Sequence, residues 1–212
     1  MNTVNLQEIG LVAWLGGIID GEGSINMLVS KRKSRDQFLV DPRVIVGNTD
    51  PAIIEKTIAA LDAIGVGRYV RHDRPKPISF CGRPAFKQMI TVYVSGHLRV
   101  KRLLEAVMPH LVGLKLQRAK LLKTFIDCRL TDERRTNRAY TKADVDNILA
   151  FLAVTKCRNI EHLTKLLNEH TRETRVEHRN KMRKVYKQSA KDRGYIRPSR
   201  RALNSHESVR TD

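Results

Sequence analysis

Cysteine is scarce: Cys81, Cys128 and Cys157 are the only three. An odd number with no Cys-x-x-Cys spacing argues against a disulfide framework or a thiolate zinc site. It implies reduced thiols in an intracellular protein. The seven histidines are scattered without zinc-ligand spacing, so carboxylates must supply any metal site. No long apolar run, lipidation signal or amphipathic anchor is present, which excludes the usual membrane attachments. Glu8 and Asp20 come too early for a signal peptide, and the Arg/Ser-rich look of a transit peptide is missing. The expected workplace is the compartment of synthesis: an organelle, a bacterial cytoplasm or a phage-infected cell. No internal repeat occurs.

Basic residues are abundant. The chain has 212 residues with 40 Lys+Arg against 22 Asp+Glu, a net charge of +18. Ordinary apolar content fits a folded, soluble protein, and a charge excess of this size points to a polyanion, most often nucleic acid. Between Arg172 and Arg201 there are 12 Lys+Arg and 3 Asp+Glu. Part of that segment reads as a basic helix that contacts phosphates, and 198–212 reads as a disordered tail.

Periodicity predicts a helix over Leu6–Ile19 with apolar residues on most faces. Ser24–Ser30 and Phe38–Val46 alternate as strands, with Pro42 marking an irregularity or edge in the second. Asp50-Pro51 starts a helix with the stripe Ile54, Ile58 and Leu61, closed by Gly65. Gly67–Asp73 and Lys87–Val94 read as two more strands joined by a Pro-rich hairpin connection. Ser95 can cap a helix through Val107, and Pro109 and Gly113 separate it from another over Leu114–Leu130. Helices over Ala143–Ala153 and Ile160–Leu167 follow. The predicted class is α+β: an αββαββα core over 1–130 with a four-stranded antiparallel sheet and helices on one face. A helical basic extension over 131–197 completes the reading.

The stretch WLGGIIDGEGSI, Trp14 to Ile25, carries the chemistry. Gly21 and Gly23 fit a helix-to-strand turn, in which Asp20 and Glu22 are solvated. Gly16 and Gly17 do not fit that account, because a helix-interior glycine costs about 1 kcal/mol relative to alanine. Such glycines admit a close backbone neighbour. If the neighbour is the same helix of a second copy, two Asp20-Gly21-Glu22 turns meet at a two-fold axis. Trp14, Gly16, Gly17 and Asp20 then form the dimer interface. Paired carboxylates there need cations between them. Mg²⁺ suits oxygen ligands and, on DNA, supports phosphodiester hydrolysis.

Leu15–Gly23, LGGIIDGEG, resembles the nine-residue motif of the LAGLIDADG homing endonucleases without gaps. It differs at Gly16 and Gly21 (for alanine), Ile18 (for leucine) and Glu22 (for the second aspartate). The motif stands at the expected place in the element order, and IGVGR at 64–68 adds to the likeness. The resemblance spans roughly residues 5 to 130. It implies a single-motif, homodimeric member, a type known from algal chloroplast introns. Such a protein cuts both strands of double-stranded DNA at a long pseudo-palindromic site. Mg²⁺ is the implied cofactor, Mn²⁺ a substitute, and Ca²⁺ supports binding without turnover.

Residue by residue, Glu22 matches the metal-binding acid and Gly21 a metal-binding carbonyl. Asp20 matches a helix-end structural acid. Asn48 matches a residue that positions the water network, and Lys115 a basic residue near the scissile phosphate, with an insertion near Gly113. Asn48 equally fits a capping turn, and Lys115 a solvated helix-start lysine.

Alternation assigns Asn26, Ser30, Arg32, Arg43, Arg71, Asp73, Lys87, Thr91 and Tyr93 to the open sheet face, where Asn, Arg and Lys can read base edges in the major groove. Ile25, Met27, Val29, Val44, Val46, Ile90, Val92 and Val94 face the core. A rival reading is a non-cleaving nucleic-acid-binding protein, such as an intron-splicing maturase acting on RNA.

Overall fold

The computed structural model describes residues 6–31, 38–73, 88–131, 140–169 and 171–192. Two compact units divide at Arg172/Glu173.

In the first unit, α1 (Leu6–Gly21) leads through the Glu22-Gly23 turn into β1 (Ser24–Lys31), followed by β2 (Phe38–Asn48). Helix α2 (Pro51–Ala63) begins where Asp50 Oδ1 accepts from the Ala52 amide at 2.9 Å, with Pro51 at its first position. Strands β3 (Tyr69–His72) and β4 (Ile90–Ser95) complete an antiparallel sheet of order β1-β2-β4-β3. Helix α3 (His97–Val107) passes through a 3-10 turn (Met108–His110) toward α4 (Gly113–Thr131), and α5 (Lys142–Val154) and α6 (Ile160–Glu169) follow. The α+β class and the predicted element order hold.

Pro42 pairs with Met27 in the β1–β2 ladder. The β2–β4 ladder ends at Arg43. Pro42 therefore lies where the strand has one neighbour, a place that tolerates a missing N–H. Ser95 does not cap α3. It is the last residue of β4, and Gly96, at φ +89°, turns the chain into the helix instead. Pro109 does not stop the chain but falls inside the 3-10 turn; the positive φ of Gly113, +53°, starts α4 afresh.

Inner-face residues Ile25, Met27, Val40, Val44, Val46, Val92 and Val94 are buried against Leu15, Ile19, Leu61, Leu103, Leu104, Phe125 and Ile126 of the helices. The outer face carries no helix among the described residues of this unit.

The first compact unit runs on past residue 130 to Arg172. Val145, Ile148, Phe151, Leu152 and Leu167 of α5 and α6 are buried in the same core. A polar lock reinforces the join. The buried Arg129 guanidinium of α4 meets Asp144 of α5 at 3.1 Å and lies over the Tyr140 ring at 4.6 Å. Asp144 also forms a capping box with Thr141. The Tyr140 hydroxyl accepts from the Val40 amide of β2 at 2.9 Å, so the extension is bonded directly to the sheet.

In the second unit α7 (Arg172–Asp192), which starts at the boundary, is exposed along most of its length. Val176, Met182, Val185 and Tyr186 are exposed on it. Residues 198–212, expected to be a disordered tail, lie outside the described residues.

Removing Asp144 leaves a buried guanidinium without its carboxylate. Asp144→Ala is expected to cost about 3–5 kcal/mol, read as a lowered midpoint in urea denaturation.

Candidate active site and nucleic-acid interface

Glu22 stands exposed in the turn that ends α1. The amides of Glu22 and Gly23 both donate to the Ile18 carbonyl, at 2.9 and 3.0 Å. Gly23 is required here: a Cβ would lie 2.6 Å from the Ile19 Cα. Asn48, at the end of β2, approaches from the side. Its Oδ1 accepts from the Asp50 amide at 2.9 Å, which turns its Nδ2 toward Glu22 Oε2 at 2.5 Å. A capping turn fixes the Asn48 amide, and the amide fixes the carboxylate.

Lys115 reaches the same turn from the first turn of α4. Its Nζ donates to the carbonyls of Ile19, Asp20 and Gly23 at 2.9, 3.1 and 2.6 Å. An ammonium has three protons, and all three are used. Burial pushes Lys115 below the ordinary lysine range, with the nearby Asp20 carboxylate opposing. This lysine is part-buried and aimed at the helix end; it caps the C-terminal end of α1, where the helix dipole is negative. The Gly21 carbonyl is not among its acceptors. The structure thus brings Glu22, Asn48 and Lys115 together around one turn, from elements 26 and 93 residues further along the chain.

The two glycines inside α1 separate. Gly16 is buried, and a Cβ on it would lie 2.5 Å from His110 Cβ. Its close neighbour is the chain's own 3-10 turn and not a second copy, which corrects the expectation for Gly16. Gly17 is exposed, with nothing within 4 Å of a Cβ. Asp20 Oδ1 accepts from the Val112 amide at 3.0 Å, so it too is engaged within the chain. Trp14 is half-buried, with Lys56 Nζ 4.7 Å from its ring centre.

The register places Asn26, Ser30, Arg43, Arg71, Thr91 and Tyr93 on the outer face of the sheet, and Asp73 continues that alternation just past β3. Asn26 donates to Ser24 at 2.7 Å. Arg43 pairs with Asp41 and Arg71 with Asp73; Arg71 also lies over Tyr93, and Tyr93 over Tyr69. Thr91 departs from the expectation. It is 4% exposed, and its hydroxyl has no hydrogen-bond partner among the described residues. The Met89 methyl beside it lies over Gly47. Arg32 and Lys87 lie outside the described residues. Alternation alone did not single out Asp41, though it shares the face of Arg43.

No family model and no curated protein matches the sequence. Solved structures do match. The homing endonuclease I-CvuI in complex with its target, in the presence of calcium, is 21% identical. It aligns over 76% of this chain and 98% of its own at a TM-score of 0.54. The group I intron-encoded homing endonuclease I-CeuI, complexed with DNA, is 12% identical over 79% of each chain, TM-score 0.54. The archaeal intron-encoded homing endonuclease I-Vdi141I, also complexed with DNA, is 12% identical over 74% of this chain and 94% of its own, TM-score 0.51. The fold is that of the LAGLIDADG homing endonucleases, the family that Leu15–Gly23 resembles.

Two stability measurements test these placements. Lys115→Met keeps the stem and removes the donors. It is expected to cost about 1–3 kcal/mol and to speed amide hydrogen exchange at Glu22 and Gly23. Gly16→Ala is expected to lower the thermal midpoint because its methyl meets His110. Gly17→Ala is expected to leave the single chain's midpoint unchanged or raised, by up to about 1 kcal/mol.

Proposed function

We propose that the protein is a site-specific, divalent-metal-dependent DNA endonuclease that works as a homodimer on a long pseudo-palindromic site. The observation that carries this reading is the Asn48–Glu22 hydrogen bond. It fixes an exposed carboxylate at the end of α1, in a chain whose sheet presents Asn, Arg and Tyr on an open face. The shared fold with endonucleases complexed with DNA and the net charge of +18 support the same substrate.

The donor chemistry fits Mg²⁺. The Glu22 carboxylate and the Gly21 carbonyl are hard oxygen ligands. On this reading each chain would contribute one carboxylate, that of Glu22. Glu22 of a second copy and phosphate oxygens of the DNA would supply further oxygen ligands. When bound, the metal supplies an activated water and neutralises charge on the phosphate.

The chain's own residues prepare the site. Asn48 holds Glu22 in one orientation, its own amide fixed by the Asp50 N–H, so little reorganisation is needed when the ligand arrives. The three carbonyl contacts of Lys115 keep the turn at the helix end. Lys115 then supports transition-state charge through its positive field at this turn.

Dimer contact falls on α1. Gly10, Gly17 and Gly21 are exposed, and nothing lies within 4 Å of a Cβ on any of them. Their spacing of seven and four residues puts them on one side of the helix, where a second backbone can approach closely. A two-fold axis along that side brings two Glu22 turns together and predicts two-fold symmetry in the target.

Glu22→Gln keeps the hydrogen-bonding shape and removes the charge. Cleavage in Mg²⁺ is expected to be abolished while affinity for the same duplex stays within a few fold. Normal cutting by this variant, measured on a duplex recovered by selection, would falsify the assignment.

A further inference from the structure

Two arginines on the outer sheet face share an unusual arrangement. Each is held side-on by an aspartate two residues away on its own segment. Arg43 Nε meets Asp41 Oδ2 at 2.7 Å. Arg71 Nε meets Asp73 Oδ1 at 2.8 Å, and its Nη2 reaches Oδ2 at 3.3 Å. The Arg71 guanidinium carbon also lies 5.3 Å from the Tyr93 ring centre. All four side chains keep substantial exposure, from 21% for Asp41 to 50% for Arg71.

Stability does not account for these pairs. Exposed ion pairs contribute at most about 1 kcal/mol, and often nothing. Phosphate binding does not account for them either. A carboxylate beside a guanidinium repels a phosphate and spends the charge that would attract it. In a chain of net charge +18, placing acids beside two face-exposed arginines is a poor way to grip a backbone.

A base edge has no formal charge and imposes no such penalty. Guanine offers two acceptors, N7 and O6, in the major groove, and the matching arginine needs two parallel N–H donors. A guanidinium has five. Asp41 uses one Nε–H of Arg43, so both Nη groups remain for a bidentate partner. Asp73 uses two N–H of Arg71 and leaves both on Nη1 and one on Nη2. Fixing the guanidinium plane beforehand reduces the side-chain entropy lost on contact. The carboxylate also presents an acceptor that suits a cytosine N4 amino group nearby.

We propose that Arg43 and Arg71 are two guanine-reading residues of this protein, and that Asp41 and Asp73 are the positioning residues that set their planes. The proposal rests on the reading of the outer sheet face as the DNA face. Arg43 is opposite Ser95 and Arg71 opposite Thr91 on β4. From strand geometry the two are about 13 Å apart along the strands and about 10 Å across them, a separation of about 16 Å. They therefore read different base pairs, and two-fold symmetry repeats both in the other half-site.

The test is a binding selection of the full chain on a randomised duplex library with Ca²⁺. Wild type is run beside Arg43→Ala, Arg71→Ala, Asp41→Asn and Asp73→Asn. Wild type is expected to select guanine at two positions per half-site. Each arginine variant is expected to lose about tenfold in guanine preference at one of these positions and to keep it at the other. Asp41→Asn is expected to relax the position that Arg43→Ala affects, and Asp73→Asn that of Arg71→Ala. For the two aspartate variants, affinity for unrelated duplex should be unchanged or slightly raised, since each loses a negative charge. A merely structural role would weaken every position together and lower the thermal midpoint.

Aspartate variants that retain full guanine preference overturn the positioning role. Arginine variants that weaken all sequences equally overturn base reading in favour of phosphate contact. A wild-type protein that binds no duplex at all overturns the DNA reading itself, and is distinct from both.

Discussion

The Lys115 ammonium holds the candidate site together. Three carbonyls at the end of α1 and the start of β1 converge on one cation from α4. A helix end leaves carbonyls unpaired and carries partial negative charge. Meeting two of them, and the Gly23 carbonyl just beyond, with one ammonium fixes where the helix stops, and so where Glu22 stands. Asn48 can then hold Glu22 from β2, because β2 is itself fixed by the sheet between β1 and β4. A carboxylate on an exposed turn would otherwise sample many orientations. Here the constraint comes from three elements that share no local sequence.

Much of this was legible in the sequence, and the limits have physical causes. Alternation in β1, β2 and β4 identified the inner face because a pleated strand with one buried side shows a period of two. Asp50-Pro51 marked the start of α2 because the cap and the first helical position have local requirements. The nine residues from Leu15 to Gly23 indicated the family whose fold the chain has. The partner of Gly16, in contrast, is His110, far away in the chain. A glycine states that something comes close without saying what does. The carbonyl acceptors of Lys115 were equally invisible, since backbone atoms leave no residue type to read. Thr91 was placed on the correct face, but its cover by neighbours on that face follows from side-chain packing, which alternation does not describe.

The C-terminal part is read from different signals. The charged run at 131–138 looks like a linker, and composition treats a linker as a domain break. Yet Tyr140, Thr141 and Asp144 stand just beyond it, and Thr-x-x-Asp is a local capping-box pattern that announces a helix at 142. What the pattern does not announce is that the same aspartate also neutralises Arg129 from the preceding helix. Asp144 is at once a local cap and a tertiary partner, and only the first of these has a sequence pattern.

That double duty bears on how the molecule can be cut and joined. The αββαββα segment invites grafting as a self-contained cassette ending after α4. Excised there, it would lose the Asp144 carboxylate that meets the buried Arg129 guanidinium, and it would bare the apolar surface of α4 now covered by α5. The Val40 amide of β2 would also lose the hydroxyl it donates to. A seam for fusing, permuting or exchanging this module belongs near Arg172, after α6, where the first compact unit ends.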